Sequence, residues 1–240
     1  MIYAVGDIHG ELDKLEALLE TLPFERGDRL VFLGDYVDRG ANARGVVDCL
    51  ISLAKERPCT FLMGNHESMF LDFIGWKGAY YDSAEYFLAN GGIETLLSYG
   101  VRDFDAVERG GWSPPPDHER FYRELVPYHR EGDYVFVHAG LGLPELGLSD
   151  ADEALRAARP DDLLWNRMSG DLRHHLGVTL VYGHSPDPAL RVRSNTPYSI
   201  GIDTGAVYGG PLTAIALPSE RLFQVGDEGG PTGRRAREHR

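Results

Sequence analysis

Residues 30–40 read L-V-F-L-G-D-Y-V-D-R-G. Four apolar residues stop at a glycine, and Asp35, Asp38 and Arg39 follow within five positions. An apolar run this short reads as a buried strand, and glycine lets its exit turn tightly. The same design recurs at V-G-D-I-H-G (5–10), M-G-N-H-E (63–67), V-H-A-G (137–140) and Y-G-H-S-P (182–186). Ligands collect beyond the carboxyl ends of strands in open α/β sheets. Five polar strand exits are therefore expected to meet at one place.

The spacing around these exits sets the fold class. I-Y-A-V (2–5) is followed by Leu12, Leu15, Leu18, Leu19 and Leu22 at helical spacing, closed by Pro23. L-V-F-L (30–33) precedes a helical stretch over 43–56, and T-F-L-M (60–63) precedes another from about 68. That order, β–α–β–α–β, predicts a parallel sheet. Residues 70–130 are helical and rich in aromatic side chains, broken by S-P-P-P at 113–116, and read as a cap or insertion. Tyr80, Tyr81, Tyr86 and Trp112 could line its entrance, but their spacing favours core. Strands return at Y-V-F-V (134–137), T-L-V-Y (179–182), S-I-G-I (within 198–202), L-T-A-I-A-L (212–217) and R-L-F-Q-V (221–225), closely enough to predict a second mixed or antiparallel sheet. The expected architecture is one α/β domain over 1–226, with a flexible tail over 227–240 that has nothing to bury.

Composition narrows the function. Lys and Arg number 24 against 37 Asp and Glu, a net charge of −13, which repels nucleic acid and anionic membranes. Cys49 and Cys59 are the only cysteines and neither begins a C-x5-R phosphate cradle, so both read as thiols without catalytic work. No signal sequence and no run of 18 apolar residues appears, and a cytoplasmic protein is expected.

The exits offer Asp7, His9, Asp35, Asn65, His138 and His184. This oxygen and nitrogen set without thiolate suits hard or borderline divalent ions. Its size suits two metals sharing one carboxylate, with Asp35 the natural bridge. A lone Asp before Gly or a lone core His would be a turn or packing residue; the ordered set is not explained that way.

The series G-D-I-H-G, G-D-Y-V-D-R-G, G-N-H-E, V-H-A-G and Y-G-H-S-P resembles the calcineurin-like metallophosphoesterases, and within them the serine/threonine phosphoprotein phosphatases of bacterial type. The resemblance covers 1–67 and 134–217. It implies a four-layer α-β-β-α sandwich, two central mixed sheets flanked by helices. It also implies that Asp7, His9 and Asp35 hold one ion and that Asp35, Asn65, His138 and His184 hold the second. Arg39 and Arg167, the latter in L-L-W-N-R-M, match phosphate-clamping arginines. His66, oriented by Asp38, matches the proton donor to the leaving group, with Glu67 in support. A hydroxide bridging the two ions would attack phosphorus in line. Asp203 and Thr204 are candidates to brace a ligand histidine, an ordinary turn being the alternative.

Mn²⁺ is the expected activator, with Fe, Zn or Co as alternatives, and the oligomeric state is not encoded in the sequence. A phosphoprotein substrate leads because G-N-H-E resembles the protein phosphatases, whereas the tetraphosphatases more often carry G-N-H-D. The alternatives are symmetrical cleavage of diadenosine tetraphosphate, a broad phosphomonoesterase, and a degenerate phosphate-binding protein that does no chemistry. I-G-I-D-T-G-A-V-Y-G-G-P-L-T-A-I (200–215) resembles both bacterial phosphatases and symmetrical tetraphosphatases, and Met63 stands where several of the former have arginine. A nuclease would need a basic groove, which the sequence lacks.

Overall fold

In the computed structural model, which describes residues 1–76, 84–169 and 171–226, β1 (Ile2–Val5), β2 (Arg29–Phe32) and β3 (Cys59–Phe61) pair in parallel. Helices α1 (Leu12–Thr21) and α2 (Ala43–Glu56) make the two crossovers. Val31 faces one side of β2 while Leu30 and Phe32 face the other, the period of two expected of a strand covered on both faces. The parallel unit read from the sequence is therefore present.

The last two strands are placed differently from expectation. β9 (Leu212–Leu217) and β10 (Arg221–Val225) form a hairpin, as their close spacing implies, but it joins the first sheet rather than the second. β9 runs antiparallel to β1, with Val5 opposite Ala214. The free edge of β1 accepts it, and hairpin spacing alone says nothing about which sheet edge a hairpin meets. The first sheet has the order β10-β9-β1-β2-β3. The second is built from β4 (Tyr128–Glu131), β5 (Tyr134–Val137), β6 (Thr179–Tyr182), β7 (Arg193–Asn195) and β8 (Ser199–Gly201), in the order β4-β5-β6-β8-β7. Both sheets are mixed.

Ala4, Val31, Leu62 and Ile215 of the first sheet region meet Phe136, Val181 and Ile200 of the second in a shared apolar layer. Leu15, Leu18, Val46 and Leu50 cover the outer face of the first sheet. Ala154, Leu155 and Leu163 cover the outer face of the second. The result is the four-layer α-β-β-α arrangement, and the parallel strands of both sheets bring their exits together.

Between α3 (Asn65–Phe73) and β4 the insertion is helical, with segments at Ala84–Phe87, Gly92–Ser98, Phe104–Glu108 and Pro116–Arg123. Its Phe87, Leu96, Tyr99 and Tyr122 belong to the same core as the first sheet and α2. Trp112 packs against Tyr99 at 5.5 Å and Phe70 at 6.3 Å, so it is core, while Tyr86 is 49% exposed. Tyr80, Tyr81 and the tail over 227–240 lie outside the described residues. Cys49 and Cys59 are free thiols. Among the described residues no helix is long and apolar enough to cross a membrane.

Candidate metal centre

Asp35 stands at the middle of the converging exits. It is buried, with His9 Nε2 at 3.4 Å and His66 Nε2 at 3.9 Å from Oδ2, and His138 Nε2 at 3.3 Å from Oδ1. Two groups of ligand atoms form around it, His9–Asp35–His66 and Asp35–His138–His184, each within 4.8 Å of one another. Asn65 joins the second: its Oδ1 lies 3.0 Å from His138 Nε2 and 2.9 Å from His184 Nδ1. Asp7 is also present, its carboxylate accepting the His184 backbone N–H at 2.9 Å. The six residues read as ligands thus come together. In the first group, however, the residues whose ligand atoms lie within 4.8 Å of one another are His9, Asp35 and His66, and Asp7 is not among them.

The tautomers decide whether these atoms suit a cation. His138 Nδ1 donates to Leu33 O at 2.7 Å and His9 Nδ1 donates to Val37 O at 2.9 Å, because a carbonyl can only accept. Burial pushes both imidazoles down toward the neutral form. Each neutral ring then carries its lone pair on Nε2; that of His138 faces the Asp35 and Asn65 oxygens, which also carry lone pairs, while that of His9 faces Asp35 and accepts from Arg39. A cation between them turns these contacts from repulsive to attractive, and a backbone carbonyl on the far nitrogen is the usual support of a ligating histidine. His184 agrees: burial and its neighbour His138 bring it down to about 3, and its Nε2 is buried without a hydrogen-bond partner. The donor set fits two divalent ions.

The carboxylates carry the complementary signature. Burial raises Asp7, reinforced by Asp203 and Asp35, and raises Asp203 to about 6. Burial also works against ionised Asp35, and of the histidines that hold its carboxyl low while charged (His138, His66, His9 and His184) only His66 is itself pushed toward the charged form. Such a cluster of acids lacks positive charge, and metal ions supply it.

Unusual backbone holds the exits in place. His9, Asp35, Asp38, Arg39 and His184 all have φ between 47° and 69°, a left-handed region that costs side-chain-bearing residues about 1–2 kcal/mol each. Glu67 offsets this at one exit. Its carboxylate accepts N–H groups from Asp35 at 2.8 Å, Tyr36 at 2.7 Å, Val37 at 3.2 Å and Gly64 at 3.0 Å. Gly64 is needed beside it, since a Cβ there would lie 2.2 Å from Asp35 Oδ1.

His66 Nδ1 donates to Asp38 Oδ2 at 2.6 Å. Although burial opposes it, Asp35 and this bond to Asp38 raise the His66 pKa. Asp38 is held in turn by a residue the sequence did not single out. Thr95 Oγ1 donates to Asp38 Oδ1 at 2.6 Å and accepts the Asp38 N–H at 2.8 Å. Gly91 O also accepts the Arg39 N–H at 3.0 Å. Both contacts come from the insertion, and a single Thr inside I-E-T-L-L-S carries no sequence signal of such a role.

Arg39 Nη1 donates to His9 Nε2 at 2.6 Å, which puts its guanidinium at the mouth of the first group. Arg167 is exposed and close enough to lower His184 electrostatically. The neighbouring Asn166 pins that segment by donating to Leu141 O at 2.5 Å. Asp203 accepts the Gly205 N–H at 3.0 Å and braces its own turn, while Thr204 Oγ1 donates to Pro211 O at 2.6 Å.

The Calcineurin-like phosphoesterase family profile matches residues 1–201. The chain belongs to that family. It is a metal-dependent phosphoesterase with a candidate dinuclear site. An asymmetrical bis(5'-nucleosyl)-tetraphosphatase of Anoxybacillus flavithermus is 28% identical over 94% of both chains. A symmetrical bis(5'-nucleosyl)-tetraphosphatase of Legionella pneumophila is 27% identical, covering 93% of this chain and 96% of its own. Among solved structures, a protein serine/threonine phosphatase from Saccharomyces cerevisiae aligns with a TM-score of 0.61 at 14% identity, over 96% of this chain and 81% of its own. A cold-active protein-tyrosine phosphatase of Shewanella aligns at 0.57 and 20%, over 93% and 76%. At those identities the two structures speak for the fold alone.

The phosphoesterase should show its ions in a stability measurement. After chelation, Glu67 (pushed by burial and Asp35 to about 8), Asp7 and His66, all raised, keep protons in the folded chain that the unfolded chain releases at lower pH. His9, His138 and His184 are lowered, so above about pH 6.5 they are neutral in both states and add no slope. Stability of the chelated protein therefore falls between about pH 6.5 and about pH 8. Divalent ions bind deprotonated Asp7, and their positive charge offsets the Asp35 charge that raises Glu67 and His66, so they act in the opposite direction. At a free concentration a hundredfold above its Kd, each ion adds about 2.7 kcal/mol, or roughly 5–10 °C in a chain of this size. The Tm gap between Mn²⁺-loaded and chelated protein should widen over that pH range; a constant or narrowing gap would contradict the site.

Proposed function

We propose that the chain hydrolyses bis(5'-nucleosyl) tetraphosphates. The observation that carries this reading is the match, over more than nine-tenths of both chains, to tetraphosphatases of symmetrical and asymmetrical type. The counter-evidence from G-N-H-E loses its weight once the geometry is considered. The Glu67 carboxylate is buried among backbone N–H groups of 35–37 and 64, so its length reports on the spacing of those turns and not on the substrate. Met63 is buried in the apolar core and offers nothing to a phosphate.

In this reading Asp7, His9, Asp35, Asn65, His138 and His184 hold two divalent ions, with Mn²⁺ as the first choice. When bound, these supply Lewis-acid charge and an acidified water. The chain's own groups do the rest. Arg39 and Arg167 offer planar donors to phosphoryl oxygens from two sides of the cluster. His66 holds a proton against the leaving oxygen, and Asp38 and Thr95 fix its ring.

A serine/threonine phosphatase is the second reading, favoured by the His66–Asp38 pair, since an alkoxide leaving group needs a proton more than a phosphate does. Product analysis separates them. Mn²⁺-loaded protein given diadenosine tetraphosphate and a phosphoserine peptide at equal concentration should release nucleotides preferentially. Two ADP would mark symmetrical cleavage, and ATP with AMP asymmetrical cleavage. Phosphate from the peptide with intact tetraphosphate would reverse the order of the two readings.

A further inference from the structure

Tyr208 is a large aromatic side chain left 57% exposed at the mouth of the centre. The Arg39 guanidinium lies over its ring, 5.5 Å from Cζ to the centroid, and the same guanidinium reaches His9 Nε2 at 2.6 Å. One arginine therefore spans the distance between an exposed aromatic ring and the ligand cluster.

The turn that presents this ring is built to hold still. Tyr208 ends a 3₁₀ turn, Ala206–Tyr208, flanked by Gly205 (φ 68°) and Gly209 (φ 84°). Lys14, buried inside α1, donates to Ala206 O at 2.6 Å and to Gly210 O at 3.3 Å. A buried ammonium held by the two carbonyl ends of a short surface turn fixes that turn against the first sheet. Thr204 ties the entry of the loop to Pro211, and Asp203 ties it to Gly205. An aromatic residue presented on a rigid loop, with a phosphate-binding arginine beside it, has the parts of a base-stacking platform. Every base has a π-face, so an exposed tyrosine ring selects for a base without reading its edge.

We infer that Tyr208 is the stacking platform for one nucleobase of the substrate, with Arg39 bridging from that base to its phosphates. This rests on the nucleotide reading of the site and adds to it a specificity-determining residue.

Isothermal titration of Mn²⁺-loaded protein tests the platform with two probes that share their anionic chemistry, ADP and inorganic pyrophosphate. Wild type should bind ADP about tenfold to hundredfold more tightly than pyrophosphate. Tyr208→Ala should remove most of that difference by weakening ADP, while Tyr208→Phe, which keeps the ring, should retain it within about twofold. Equal losses for both probes in Tyr208→Ala, or no loss for ADP, would overturn the inference. So would a loss of affinity confined to a phosphotyrosine peptide titrated in parallel. The two ideas fail separately: normal ADP selectivity in a protein that does not cleave tetraphosphates would sink the proposed reaction and leave the platform standing.

Discussion

Asp35→Asn is expected to lower kcat/KM at least about a thousandfold at saturating Mn²⁺ and to reduce the bound metal below two ions per chain. Asp35 is the residue common to both ligand groups, and its two oxygens face different sets: His9 and His66 on Oδ2, His138 on Oδ1. Asparagine keeps the shape and one acceptor but removes the charge that would serve both ions. It also tolerates the left-handed backbone at this position, φ 54°, so the fold should be retained. A thousandfold corresponds to about 4 kcal/mol of transition-state stabilisation, within the several kcal/mol that Lewis-acid assistance provides. Metal analysis and far-UV circular dichroism on the same sample would separate site loss from unfolding. Activity within tenfold of wild type, with two ions retained, would remove Asp35 from the centre of the site.

Much of this centre is legible in the sequence because its geometry is simple. A short apolar run, a glycine and a polar residue place a side chain at a strand exit whatever lies elsewhere in the chain. Parallel pairing of β1, β2 and β3 then puts three exits at one end. What is not legible depends on contacts between distant segments. Nothing in the spacing of β9 and β10 selects the open edge of β1. Thr95 lies 57 residues from Asp38, and its hydroxyl matters only because the insertion packs Gly92–Ser98 against α2. Glu67 is visible in the motif, but its work is on backbone N–H groups of the neighbouring exit at 35–37 as well as on Gly64 of its own, which no residue pattern expresses. Tyr208 belongs to a stretch that resembles two enzyme classes at once, and its meaning comes from the guanidinium beside it.

His66→Asn tests the remaining ambiguity, since distance alone allows His66 to be a third ligand beside His9 and Asp35. The environments of the imidazoles argue otherwise. His9 and His138 donate to backbone carbonyls and are pushed toward neutrality, as ligands must be, whereas His66 donates to a carboxylate and is pushed toward the charged form. Groups whose surroundings drive their pKa values apart take different roles in one site. His66→Asn should therefore retain two Mn²⁺ per chain and lose about 10²- to 10⁴-fold in kcat on alkyl phosphates, the usual range for a missing general acid. The loss should shrink by at least about tenfold on aryl phosphates and on tetraphosphates, whose leaving groups depart as stable anions. A loss that is the same across the leaving-group series, accompanied by release of one ion, would make His66 a ligand instead. In that case Asp38 and Thr95 orient a metal-binding ring, and the proton for the leaving group comes from another residue.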